Sequence, residues 1–316
     1  MSERQKAEDR EGARPGDSNR ITREYFDSLL VEMRHIGAVI PSTKMELYGE
    51  TFDTPIMTAA LSHLEGTRKD GMAEMARGAK GANAAHWVGM GSETELEAVI
   101  ATGARTVKII TPHPDNAVIY RKMAHARLCG AMAVGMDLDH AFDSNGRYDD
   151  VLGHPVRPKS LDELRGFIAR ADLPFIVKGV LSVRDALLCL EAGARGIVVS
   201  HHHGIMDYAV PPLLALPGIA KAIAGRIPIF VDCGIESGMD AFKALALGAT
   251  AVSVGRSLMS PLREGGAEAV TAAIIGMTEK LAGAMARTCS PDIGRIDPGV
   301  IWCSESKTRS ENGRLA

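Results

Sequence analysis

The sequence predicts a single-domain α/β fold, the closed (β/α)8 TIM barrel. Eight short apolar runs rich in β-branched residues recur along it, a helical segment separates each pair, and polar residues collect at the C-terminal ends of nearly all the runs. The runs are Pro55–Ala60, Asn83–Val88, Thr106–Thr111, Ala133–Asp139, Pro174–Val180, Gly196–His202, Ile227–Gly234 and Ala251–Ser257. Apolar strands alternating with helices imply a parallel sheet covered on both faces, and eight is the number that closes it. An open doubly wound sheet is the competing architecture. It fits less well, because no Gly-x-Gly-x-x-Gly follows the first run.

Three intervening segments open on a serine with an acid three residues later: Ser92 with Glu95, Ser160 with Glu163 and Ser182 with Asp185. The hydroxyl can accept from a free helix N–H there, which marks helix starts. Gly103, Gly193 and Gly248 each follow a helical run where the chain must turn left-handed into the next strand. Glu264–Arg287 reads as the last long helix. Residues 1–20 are charged and are expected to form a disordered leader. Residues 21–54 lead into the barrel through an amphipathic stretch beginning at Tyr25 and a hairpin near Met45–Gly49. The barrel is expected over 55–295, and a polar tail, loose beyond Trp302, over 296–316.

A length of 316 residues suits one barrel with extensions. The net charge of −3 and the lack of a basic block beyond the first two dozen residues argue against nucleic acid or an anionic membrane surface as partner. The longest apolar runs, such as Ile227–Val231, are too short to span a bilayer, and no signal peptide opens the sequence. Cys129, Cys189, Cys233, Cys289 and Cys303 form no Cys-x-x-Cys pair, which points to a reduced, cytoplasmic protein.

The strand ends carry His86, Trp87, Lys108, Asp137, Asp139, Lys178, His202, Asp232, Gly255 and Arg256, which a barrel would bring to one rim. Lys178, embedded in an apolar strand, needs an anionic or electron-rich partner. Alternation along the sixth strand puts Val198, Ser200 and His202 on one side, His201 and His203 on the other. Three histidines in a row therefore cannot chelate one ion, and no metal site is expected. Asp137 is the expected partner of His202, holding one ring nitrogen while the other takes a proton. Gly234 after the seventh strand, with Gly255 and Arg256 after the eighth, occupies the usual phosphate position of this fold.

Pro174–Val180, Gly196–His202, Asp207-Tyr208, Val231–Gly234, Ala241–Ala249, Val254–Arg256 and Ala286–Ile293 together resemble the FMN-dependent α-hydroxy-acid oxidase/dehydrogenase family, the glycolate oxidase and lactate oxidase group. The resemblance is strongest over 174–261 and weaker over 55–137. It implies FMN as cofactor, a small-molecule substrate and a homo-oligomer of four or more subunits. It makes Lys178, Ser200 and Asp232 flavin contacts and Gly234, Gly255 and Arg256 the phosphate cradle. It makes His202 the base that takes a substrate proton while a hydride equivalent reaches flavin N5, with Asp137 orienting it.

The departures fall on the substrate side. Ile205 and Met206 stand where the family places a carboxylate-binding arginine. Lys108 and Ile110 replace its glutamine and tyrosine, Gly135 its threonine, Ala85 and His86 its serines, and Glu236 an arginine. The loop Leu138–Pro158 is short for the family. The resulting expectation is an oxidoreductase acting on a hydroxyl-bearing molecule other than simple lactate or glycolate, with Lys108 and His86 as candidate substrate contacts. The alternatives are a non-redox FMN isomerase of the type 2 isopentenyl diphosphate isomerase kind and a flavin-binding protein that has lost catalysis.

Overall fold

A computed structural model describes residues 14–303. The barrel strands are β1 (Ile56–Thr58), β2 (His86–Val88), β3 (Thr106–Ile110), β4 (Ala133–Asp137), β5 (Phe175–Val180), β6 (Gly196–Val199), β7 (Ile229–Val231) and β8 (Ala251–Val254). They lie in the order β1-β8-β7-β6-β5-β4-β3-β2, and every neighbouring pair is parallel. Thr58 N donating to Ala85 O at 3.2 Å and Gly89 N to Leu61 O at 2.8 Å close the ring between β1 and β2. The helices between them are α1 (Gly71–Gly81), α2 (Glu93–Ala101), α3 (Asn116–Cys129), α4 (Leu161–Ala169), α5 (Val183–Glu191), α6 (Pro212–Ile223) and α7 (Gly238–Ala246), and α8 (Met259–Ala286) follows β8.

Local signals place these elements. Ser92, Ser160 and Ser182 accept from the backbone N–H of Glu95, Glu163 and Asp185, and Glu163 returns the bond to Ser160 N. Gly103, Gly193 and Gly248 all have φ between +80° and +108°. α8 kinks at Gly266 and packs on α1 and α7; it is the one helix among the described residues long and apolar enough to cross a membrane by length and composition.

The lumen is filled by alternate strand residues, among them Met57, Trp87, Ile109, Ile176, Val198 and Phe230, with Trp87 and Phe230 packed edge to face at 5.2 Å. Each such side chain contributes about 1.5–3 kcal/mol by leaving water. The predicted hairpin is present as Met45–Leu47 paired with Glu50–Phe52, and Met45, Leu47 and Phe52 plug the N-terminal mouth. That leaves the C-terminal rim as the place for chemistry.

Three expectations need correction. The stretch read as leader already contains structure from Gly16 on: Asp17 caps an N-terminal helix, Ser18–Ser28, by accepting from Asn19 N at 2.9 Å. Its buried face is Ser18, Thr22 and Phe26, spaced by four, and two of these are polar, so hydropathy hides the stripe. Residues 1–13 lie outside the described part. The tail is tied as far as Cys303, because Ile301–Cys303 pairs antiparallel with Leu29–Val31 and Trp302 Nε1 donates to Glu32; the loose tail expected beyond Trp302 otherwise lies outside the described residues. Finally β6 ends at Val199, not His202. His202 and His203 have φ of 48° and 57°, a left-handed turn that strand alternation does not describe.

Candidate active site

The register of the barrel sets Lys178 on β5 directly opposite Asp137 on β4. The Lys178 ammonium donates to both Asp137 oxygens at 3.2 Å and lies 3.9 Å from Asp232 on the rim of β7. Burial opposes its charge, but Asp137, Asp232 and Asp139 outweigh burial and raise its pKa. Burial likewise opposes ionisation of Asp137, and Lys178 and His202 overcome it, so its pKa falls well below the usual carboxylate range.

Beyond Lys178 the strand breaks register at Gly179, whose φ is +91°. A Cβ there would sit 2.6 Å from the Asp139 carboxylate. The missing side chain therefore makes room for Asp139, whose Oδ1 accepts from His202 Nδ1 at 2.7 Å, while Asp137 Oδ2 lies farther from that nitrogen, at 3.3 Å. Asp139, rather than Asp137, is the residue bonded to the histidine, and Asp137 chiefly holds the lysine. Asp139 Oδ2 is buried without a partner. Burial and the charge of Asp137 push its pKa up to about 6. Burial works against an imidazolium at His202, but Asp137 prevails and its pKa rises to about 9. In the neutral ring, with Nδ1–H committed to Asp139, Nε2 carries the lone pair.

The left-handed turn splits the three histidines by role. His201 is buried, accepts from Gly204 N and meets Thr22 Oγ1 at 2.7 Å through Nε2. His203 is exposed, donates to Asn19 Oδ1 at 2.7 Å, and its carbonyl accepts from Asn19 Nδ2. Ser18 Oγ donates to Met206 O at 2.6 Å. The N-terminal helix thus grips the loop that carries His202. Ser200 Oγ, buried, accepts from His202 N at 3.0 Å and so fixes the start of the turn.

Lys178, His202, His203, Asp232, Gly234, Gly255 and Arg256 all line one cleft, with Ala59, Ala60, Leu61 and Ile235 as its apolar side. Gly234 has φ +87°, and a Cβ there would meet Phe26 and Thr22 at 2.9 Å. Arg256 is exposed and makes no ion pair among the described residues. An unpaired guanidinium beside glycine-lined loops suits a phosphate, and a buried lysine between carboxylates at the other end of the cleft suits an electron-accepting ring. FMN has both parts, so the residues present fit it.

Lys108 and His86 do not reach this cleft. Val107 and Ile109 face the lumen, so Lys108 points outward, donates to Gly89 O, and is pushed down to about 8 by burial. Ala85 and Trp87 face the lumen, so His86 also points outward. It is fully buried, bonds Thr58 through Nδ1 at 2.8 Å, and burial lowers its pKa to about 3. Both are corrected as substrate contacts. The structure adds His140, whose ring stands edge-on to His202 at 4.0 Å and whose Nδ1 lies 3.5 Å from Asp149. Its place in an irregular loop gave no periodic signal.

The sequence matches the FMN-dependent dehydrogenase family over residues 10–162 and 156–303. It is 28% identical over 295 residues to an L-lactate oxidase of Roseobacter sp. (strain GAI101), covering 82% of this chain and 79% of that protein. It is 28% identical over 287 residues to a 4-hydroxymandelate oxidase of Amycolatopsis orientalis, covering 80% of each. A solved mandelate oxidase mutant with a monooxide FMN adduct superposes with a TM-score of 0.83 at 26% identity, over 94% of this chain and 98% of that one. The chain belongs to the FMN-dependent dehydrogenase family and is an FMN-dependent enzyme of its hydroxy-acid oxidase group.

Proposed function

We propose that the enzyme oxidises a 2-hydroxy acid bulkier and more apolar than lactate or glycolate, with His202 as the base. The reading rests on one observation: the ring that lines the cleft beside Lys178 has its Nδ1 bound 2.7 Å from Asp139. Gly234, Gly255 and Arg256 would hold the FMN phosphate, Asp232 its ribityl hydroxyls, and Lys178 and Ser200 its ring. Bound FMN supplies the electron sink that no side chain can provide. His202 Nε2 receives the substrate hydroxyl proton, and Asp139 and Asp137 stabilise the imidazolium that results. Lys178 keeps a positive charge at the floor of the cleft.

The substrate preference rests on the missing arginine and on the apolar side of the cleft. Ile205 and Met206 are exposed where an arginine clamp is expected, and Ala59, Ala60, Leu61 and Ile235 form an apolar wall. A bidentate carboxylate grip is replaced by surface that favours a hydrocarbon substituent. The enzyme is further proposed to be a cytoplasmic homo-oligomer. Its five cysteines are free, and Met33, Ile36, Val39 and Ile40 form an exposed apolar stretch ahead of the barrel.

The test is anaerobic mixing of FMN-loaded enzyme with a panel of 2-hydroxy acids while flavin absorbance is followed. Aryl- or long-chain acids should bleach the flavin, and His202→Ala should bind FMN yet fail to bleach. Fast bleaching by lactate or glycolate would overturn the substrate reading, and bleaching by His202→Ala would overturn the base.

A further inference from the structure

We propose that Glu97, His125 and Cys129, with Glu93 one turn earlier, form a site for a zinc-class divalent cation on the outer wall of the barrel. His125 and Cys129 are four apart on α3, so they share one face, and Glu93 and Glu97 are four apart on the adjacent α2. His125 Nε2 lies 3.0 Å from Glu97 Oε1 and 3.4 Å from Cys129 Sγ, and the three ligand atoms all fall within 4.8 Å of one another. Ligand bonds of about 2.0–2.3 Å at tetrahedral angles place neighbouring donor atoms roughly 3.3–3.6 Å apart, and His125 Nε2 already stands within a few tenths of an ångström of that spacing from both Glu97 Oε1 and Cys129 Sγ.

The donor set selects the ion. Thiolate, imidazole and carboxylate together suit zinc and exclude magnesium or calcium, which take oxygen ligands. On binding, the thiol proton leaves to solvent and the sulfur becomes the third ligand, with Glu93 or water as the fourth. The ion would join α2 to α3 across the surface.

The second cluster with metal-ligand spacing among the described residues, Asp137, Asp139 and His202, behaves differently. There the Lys178 ammonium already stands 3.2 Å from both Asp137 oxygens and 3.1 Å from His202 Nδ1, so a cation is in place.

The experiment uses FMN-loaded enzyme treated with chelator and then titrated with Co²⁺, read by tetrahedral d–d bands at wavelengths beyond flavin absorption. Zinc competition and metal analysis give affinity and stoichiometry. One Co²⁺ per chain, displaced by Zn²⁺, is expected. Cys129→Ser and His125→Ala should each weaken binding about 100-fold or more while turnover stays at the wild-type level. Binding that survives both substitutions would place the ion elsewhere and overturn the proposal. So would a wild-type dissociation constant weaker than about 0.1 mM.

Discussion

Asp139→Asn isolates the bond between the carboxylate and His202 at 2.7 Å. The amide oxygen can still accept from Nδ1–H, so the tautomer is kept and only the charge is lost. A charge-assisted bond contributes about 1.5–3 kcal/mol, and one pKa unit is 1.36 kcal/mol, so the His202 pKa should drop by roughly one to two units from its raised value. His202 must be neutral to act as base, so kcat/KM in the native enzyme should rise with pH through the His202 pKa, near 9. In the variant that rise should move to lower pH. The high-pH plateau should fall about 10- to 100-fold, because a weaker base takes the substrate proton. Anaerobic flavin bleaching across a pH series measures both quantities. Asp137→Asn removes the charge that most raises the His202 pKa and the partner of Lys178, so it should lower that pKa as well and also disturb the lysine. An Asp139→Asn profile superimposable on wild type would refute the assignment.

Arg256→Ala should weaken FMN binding about 10- to 100-fold, and the loss should shrink as salt is added, measured by quenching of flavin fluorescence. An unchanged affinity would remove Arg256 from the phosphate cradle. Thr22→Val cuts the contact from the N-terminal helix to His201, so kcat should fall several-fold with FMN affinity and far-ultraviolet circular dichroism preserved. Wild-type turnover in that variant would show that the helix does not set the histidine loop.

The barrel was readable because apolar β-branched runs, serine caps and exit glycines all point the same way, at Ser160 and Gly193 for example. Facing was not readable. A strand buried on both sides is apolar on both sides, so nothing in Thr-Val-Lys-Ile-Ile from Thr106 to Ile110 says which alternate set meets the lumen, and Lys108, expected at the rim, points outward. His86 failed for the same reason. Lys178 and Asp137 face each other because their register on adjacent strands fixes their phase, while the place beside His202 expected for Asp137 is taken by Asp139. Asp139 could have been weighed more heavily had Gly179 been read as space for a neighbour rather than as a strand residue. The N-terminal helix is hidden because two of the three residues on its inward face, Ser18 and Thr22, are hydroxyl-bearing.

The hold of Ser18, Asn19 and Thr22 on the histidine loop joins parts of the chain separated by some 180 positions. Closing the ring needs a contact just as distant, since Ile56 on β1 pairs with Val252 on β8. The same N-terminal part of the chain therefore serves both the cylinder and the imidazole at its rim. An affinity tag fused close to Arg14 is expected to disturb the grip on the histidine loop, yielding protein that is folded and yellow but slow, as turnover per bound flavin would measure.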